Sequence, residues 1–170
     1  VPALTLDLLK EWLRYELSDG DADATLNVTL AAAVRHVEGQ TGVLFTQREV
    51  TQPLYSLRGR VPLFYGPREG DVVLSYLDRS GAPETLAITG FQGRDMLAPA
   101  GGWPIGTGYE ATYTAGHADP ATVPEDLLVA ALLLAGNWDA NREASVTAAS
   151  NVALSCGVDT LLAPYRTMLA

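Results

Sequence analysis

Two histidines, one cysteine and several closely spaced acids are the side chains of this chain whose chemistry could be catalytic. His117 and Asp119 share the turn-like Gly116–Pro120 loop and are the closest approach to a base with its orienting acid. Joined by a nearby serine they would make a small hydrolase. A loop histidine just ahead of a helix start is the better account of His117. His36 lies beside Val37 in a helix-patterned stretch and has no partner at metal-ligand spacing. Cys156 precedes Gly157 at the head of a helix, where the dipole would lower a thiol's pKa. No histidine partner accompanies it, so a small packed residue explains it. Gly101-Gly102 and Gly106-Thr107-Gly108 lack the Lys-Thr and the strand-to-helix junction of a phosphate cradle. Asp7 and Glu11 stand four residues apart on a helix, as a solvated face requires. The expectation is therefore no catalytic residue, no metal site and no cofactor.

The elements that would position these groups are of two kinds. Thr5 is a plausible N-cap for a helix whose apolar side is Leu6, Leu9, Leu13 and Leu17, with Trp12 beside them. Ser18-Asp19-Gly20-Asp21 ends it, Asp21 or Asp23 caps a second helix bearing Leu26, Leu30, Ala33, Val34 and Val37, and Gly42 closes that helix. A short turn between two amphipathic helices predicts a helical hairpin over 1–44. From 45 to 116 the helical period disappears. Gln47 to Leu54, Val72 to Asp78, Glu84 to Thr89 and Tyr109 to Ala115 read as strands, the middle pair a hairpin turned at Asp78-Arg79-Ser80-Gly81. Ala98 to Gly108 reads as a loop pinned by Trp103. The expected class is α+β: a helical bundle of an N-terminal hairpin and two C-terminal helices, with a small antiparallel sheet inserted, in one domain.

The run 123–143 is the strongest single signal. Pro124 suits a first helical turn, Glu125 and Asp126 complement its dipole, and Leu127 to Gly136 has no polar side chain. A helix apolar all round must be buried all round, and ten residues rise only about 15 Å, too short to span a bilayer. In a chain of 170 residues this predicts cover from a partner subunit, with Leu128, Leu132, Trp138, Arg142 and Glu143 as candidate interface residues. Arg142 near the helix C-terminus reads first as ordinary capping, and an intersubunit ion pair with Glu143 is the functional alternative. Residues 144–157 are small and uncharged, an arm or an edge strand. The segment 158–170 is a last helix with Leu161, Leu162, Tyr165 and Met168 as its apolar side, broken or kinked at Pro164.

Composition excludes several classes. Net charge is −9 with 11 Lys and Arg and no basic cluster, which argues against a protein that grips nucleic acid by its phosphates. A lone cysteine forms no intrachain disulfide and suits a reducing compartment. No signal peptide or membrane span is read, and Val1 at position one fits removal of an initiator methionine or a trimmed chain.

Three stretches, in this order, carry a family resemblance: LTLDLLKEWLRYELSDGDADATLNVTLAAAVRHVEGQTG, YTAGHADPATVPEDLLVAALLLAGNWDANREA and GVDTLLAPYR. The chain resembles the head–tail connector (adaptor) proteins of long-tailed bacteriophages and gene transfer agents. The resemblance implies a structural role at the head–tail junction of a virion or gene transfer agent particle assembled in the bacterial cytoplasm. Family members form a ring of about twelve copies below the portal, closed by head-to-tail contacts. The ring extends the DNA channel, through which DNA passes without specific binding, and presents a platform to a stopper or tail-side protein. By the same resemblance Leu161, Leu162, Tyr165, Arg166 and Met168 are candidate portal contacts. Two rivals stand beside this reading: the His117/Asp119 hydrolase, and a monomeric ligand-binding module using an aromatic sheet face of Tyr65, Tyr76, Tyr109 and Tyr113.

Overall fold

The computed structural model describes residues 4–18, 20–55, 57, 59–89, 96–99, 101–141 and 157–166. The chain falls into two compact units, one formed by residues up to Phe45 and from Asp119 onward, the other by Thr46–Ala118. The first is helical, the second β, and the class is α+β.

In the helical unit, α1 spans Leu6–Leu13. Thr5 is extended and its Oγ1 accepts from the Leu8 N–H at 3.2 Å, the expected N-cap. The helix ends four residues earlier than its apolar spacing suggests. Arg14 turns left-handed at φ 61°, and the Arg14 and Tyr15 amides close on Glu11 and Lys10 carbonyls. Leu17 is consequently in a turn and exposed. The early stop serves Lys10, the only lysine of the chain. Its side chain is buried, its Nζ donates to the Leu17 carbonyl at 3.3 Å, and it forms an ion pair with Asp23.

The second helix, α2, spans Asp23–Thr41 and buries Leu26, Leu30, Ala33 and Val37, the predicted face. Its N-cap is Ala22, without a side-chain bond, and not Asp21 or Asp23. Asp23 instead opens the helix and meets Lys10. Gly42 closes it at φ 72°, as expected. Buried Glu38 then accepts from the Phe45 amide at 2.8 Å, holding the chain where it leaves the helices.

Helix α3 spans Glu125–Ala140. Its cover comes from its own chain: Leu128 is 5% and Leu132 4% exposed, and Leu127, Ala130, Ala131 and Ala135 are fully buried. The core around it joins Leu9 of α1, Leu26 to Val37 of α2, Phe45, Val123, and Val158 with Leu162 from a helical run over 157–162, here α4. The expectation that a neighbouring subunit must cover Leu128 and Leu132 is thus corrected. Small residues make it possible. Alanines at 130, 131 and 135 let neighbours approach, and a Cβ at Gly136 would come within 3.1 Å of Leu13. Each leucine so buried contributes about 1.5–3 kcal/mol. Past α4 the chain tightens into a 3-10 turn, Ala163–Tyr165, the break that Pro164 predicted.

The β unit holds a four-stranded antiparallel sheet of order β1-β6-β3-β4: β1 Arg48–Pro53, β3 Arg68–Leu77, β4 Pro83–Ile88 and β6 Thr107–Ala115. A two-stranded ribbon pairs β2, Val61–Pro62, with β5, Met96–Leu97. The four long strands match the periodic segments of the sequence. The ribbon does not, because two residues carry no period. The β3–β4 turn is locked by Asp78, whose Oδ1 accepts from the Ser80 amide, the Ser80 hydroxyl and the Ala82 amide at 2.7–2.9 Å. These bonds, led by the Ser80 hydroxyl, hold its carboxyl below the ordinary range.

One face of the sheet is buried. Val72, Leu74, Ile88, Ala111, Tyr113 and Ala115 line it, with Leu54, Val61, Leu63 and Leu97 also enclosed in the unit. β6 carries one residue more than β3 where Ser75 pairs with Glu110 and Leu77 with Thr107. Gly108, left-handed at φ 63°, takes up the extra residue as a bulge. Tyr109 thereby stacks on Tyr76, ring centroids 5.7 Å apart.

Candidate assembly surfaces

The described residues singled out as possible catalysts are each engaged within their own unit. Asp119 extends into the chain and its Oδ1 accepts from the Ala121 amide at 2.9 Å, capping the 3-10 turn Pro120–Thr122. Its carboxylate is committed to that turn. His117 belongs to the β unit, where its carbonyl accepts from the Gln47 amide at 3.0 Å, and partial burial holds its imidazole below the usual histidine range. His36 is exposed on α2 and stands edge-on to Trp138, centroids 6.1 Å apart. Among the described residues no three His, Cys, Asp or Glu side chains stand close enough to hold a metal ion. No described helix is long and apolar enough to cross a membrane. Cys156, Arg142, Glu143, Met168 and the 144–156 stretch lie outside the described residues.

The glycine-rich stretch works as turns. Gly102 donates to the Pro99 carbonyl at 3.0 Å, and Trp103 Nε1 donates to the Gly59 carbonyl at 2.8 Å, the predicted pin. A Cβ at Gly106 would sit 2.2 Å from the Leu77 carbonyl oxygen, so only glycine passes there.

The aromatic residues do not form an open ligand face. Tyr113 is 2% exposed, and Tyr76 with Tyr109 are spent on one another. Tyr113 belongs to a polar network that the sequence reading missed. Gln52 of β1, 6% exposed, donates from Nε2 to the Pro62 carbonyl at 3.1 Å. Its Oε1 accepts from the Phe64 amide at 2.9 Å and from the Tyr113 hydroxyl at 3.2 Å. The Tyr113 oxygen in turn accepts from the Tyr65 amide at 3.2 Å. The segment 62–65 is thereby fastened to the sheet with Phe64 turned outward. The signal was present: Gln52 stands between Val50 and Leu54 at an inward position of β1, where an amide must find partners.

The expected contact residues separate by accessibility. Leu162 is 1% exposed and packs in the core, so it is corrected from a portal contact to a structural residue. Leu161 and Tyr165 are partly accessible and Arg166 is exposed. Tyr165 donates to Asp126 at 3.4 Å. Its hydroxyl is held above the ordinary range, first by burial and then by that carboxylate. Arg166 pairs with Asp159 and reaches Gln40 at 3.5 Å. Trp138 is partly accessible. The helical unit exposes Trp12, Leu17 and Val28 instead, apolar side chains left accessible among the described residues.

The sheet's other face is open. By register Glu49, Thr51, Glu110, Thr112, Thr114, Glu69, Val73, Ser75, Leu77, Pro83, Thr85 and Ala87 point to it. Arg48 and Arg68 pair with Ala115 on the opposite parity, so the described face carries acids and no cation.

No family model and no curated protein matches the chain. Solved structures do. A chain in the neck of an empty gene transfer agent (GTA) particle computed with C6 symmetry superposes with a TM-score of 0.77 at 25% identity, covering 99% of this chain and 91% of that one. A chain of the virion of a native GTA particle gives 0.76 at 25% identity, with the same 99% and 91% coverage. One in the neck of a native GTA particle computed with C12 symmetry gives 0.70 at 25% identity, covering 100% and 94%. The likeness supports a structural protein of a phage or GTA neck, located at the head–tail junction of the particle. The symmetry of those particles supports an oligomeric ring.

Proposed function

We propose that the chain is a connector (adaptor) subunit. About twelve copies close into a ring below the portal, prolong the DNA channel and offer the platform to which tail-side proteins attach. The observation that carries this reading is the full-length likeness: helices, inserted sheet and C-terminal helical run together match a neck component over 99% of the chain. The net charge of −9 suits a wall along which DNA slides, since fixed carboxylates oppose adhesion of phosphates.

The contacts differ from those expected of an uncovered α3. With Leu128, Leu132 and Leu162 enclosed by their own chain, the surfaces offered to other subunits are the exposed Trp12, Leu17 and Val28. Trp138, Leu161, Tyr165 and Arg166 remain candidates for subunit or portal contact. Aromatic and arginine side chains of this kind anchor interfaces.

Particle mass, measured alone and after mixing with a portal ring, tests the proposal. A closed multi-subunit ring in either state is the expected result, and a single chain in both overturns it. His117→Ala leaves assembly unchanged on this reading; a hydrolase would lose its activity.

A further inference from the structure

The four-stranded sheet ends in two edges, β1 and β4, and no described strand pairs with their outer sides. Neighbouring strands are antiparallel throughout, so the two edges run in opposite directions. The Leu54 amide donates to the Tyr109 carbonyl and the Asp78 amide to the Ala82 carbonyl, each at 2.9 Å and each in step with its strand pair. Bonds in an antiparallel ladder alternate along the strand. Even-numbered residues of β1 and β4 therefore bond inward, and odd-numbered ones turn their main-chain groups outward. On β1 these are Glu49, Thr51 and Pro53, and on β4 Pro83, Thr85 and Ala87, all exposed. Among the described residues no turn or loop bonds to them either. Such an edge is a template for a further strand.

We propose that β4 of one copy pairs with β1 of the next, joining the sheets of neighbouring subunits into one continuous sheet around the ring. The inference rests on the connector reading, which supplies head-to-tail neighbours. The two edges complement each other with Glu49 opposite Ala87, Thr51 opposite Thr85 and Pro53 opposite Pro83. In that register the Glu49–Ala87 and Thr51–Thr85 pairs each exchange both main-chain bonds. The two positions that lack an N–H fall together at one end, where no donor is stranded. On the sheet's inner face Val50 comes to lie opposite Leu86. Each is half-buried in its own chain, and as a cross-strand pair they cover one another. A shift of two residues sets Val50 against Glu84 or Leu86 against Gln52 instead. The occupant is a second copy because it covers both edges of every subunit, whereas a strand from another protein covers one. Two-fold pairing of β4 with β4, or of β1 with β1, puts a proline at both ends of the ladder and stops at two copies.

The test is disulfide trapping in the assembled particle, formed alone or on a portal ring, with Thr51→Cys and Thr85→Cys in one chain and Cys156→Ser as background. Residues directly opposite in such a pair stand about 5.5 Å apart at Cα, within disulfide reach. Inside one chain the two positions are separated by three strand spacings, roughly 14 Å, which no disulfide spans. Every bond formed therefore joins two copies. Mild oxidation should give a ladder on a non-reducing gel that climbs past the dimer and collapses on reduction. Thr51→Cys alone and Thr85→Cys alone should give single chains. A dimer from either marks two-fold pairing and overturns the proposal. So does a ring whose double variant yields no ladder, which would leave the edges to a different protein or to solvent. Thr85→Pro supplies a second measurement, because its amide bonds nothing in its own sheet. That chain should melt near the wild-type temperature yet need about fivefold more protein for half-assembly, the loss of one interface hydrogen bond. Unchanged assembly of the folded variant overturns the pairing. A ring without a ladder sinks only the joined sheet, and a single chain under every condition sinks the connector reading with it.

Discussion

Replacing Gln52 by leucine should cost far more than its position in a short strand suggests. The amide makes three hydrogen bonds from a nearly sealed site, to the Pro62 carbonyl, the Phe64 amide and the Tyr113 hydroxyl. At about 1 kcal/mol each their loss amounts to about 3 kcal/mol, and groups left buried and unpaired keep the cost from falling below that. Leucine returns about 1 kcal/mol through its apolar surface. The net expectation is about 2 kcal/mol, which at an m value near 2 kcal/mol/M lowers the urea midpoint by about 1 M. Tyr113→Phe should cost about 1–1.5 kcal/mol, since the hydroxyl both donates to Gln52 and accepts from the Tyr65 amide. The two changes share one bond, so the double variant should be more stable than the sum predicts by about 0.5–1 kcal/mol. Urea titration followed by circular dichroism and tyrosine fluorescence reads all three. A midpoint shift under about 0.3 M for Gln52→Leu, or strict additivity, would refute the claim that this network fastens 62–65 to the sheet.

Other outcomes follow from the same geometry. Leu132→Ala should destabilise the isolated chain by about 2–5 kcal/mol, equally at all protein concentrations; a loss that grows on dilution would mean that a second subunit supplies the cover. Gly116→Ala should cost about 2 kcal/mol or more, because φ there is 109° and the new Cβ would sit 2.3 Å from the Thr46 carbonyl oxygen. Thermal melts at near-native midpoint would contradict this. For His117 the folded pKa lies below the unfolded 6.5, so the unfolded chain binds more protons between the two values. Its contribution is complete above pH 6.5 and is lost as pH falls through that window. His117→Gln should flatten stability there, and an unchanged profile between wild type and variant would count against the burial.

The helices were legible because their signals are local and redundant. Thr5, the Leu26–Val37 spacing and Gly42 each state part of the answer, and the structure agrees with them. Alternation did the same for β6, where Ala111, Tyr113 and Ala115 are buried in turn. What was misread depends on distant partners. The length of α1 is decided by Lys10 reaching Asp23 and Leu17, and no helical wheel contains that ion pair. The apolar girth of α3 points to another subunit only while α4 is left aside, because that short helical run adds Val158 and Leu162 to the core around α3. Strands of two residues carry no period, so the β2–β5 ribbon was silent. Of the contact residues, sequence supplied plausible types but not accessibility, which places Leu162 inward and Arg166 outward.

Because the chain's single ε-amino group is shut away between α1 and the start of α2, acylating reagents find no open lysine on the folded molecule. Amine-coupling chemistry aimed at a particle would therefore pass this subunit's side chains by while marking better-supplied neighbours. The same seclusion turns Lys10 into a reporter. Slow modification at that one nitrogen would time the opening of the α1–α2 connection, and a rate that drops on assembly would show that ring closure tightens it.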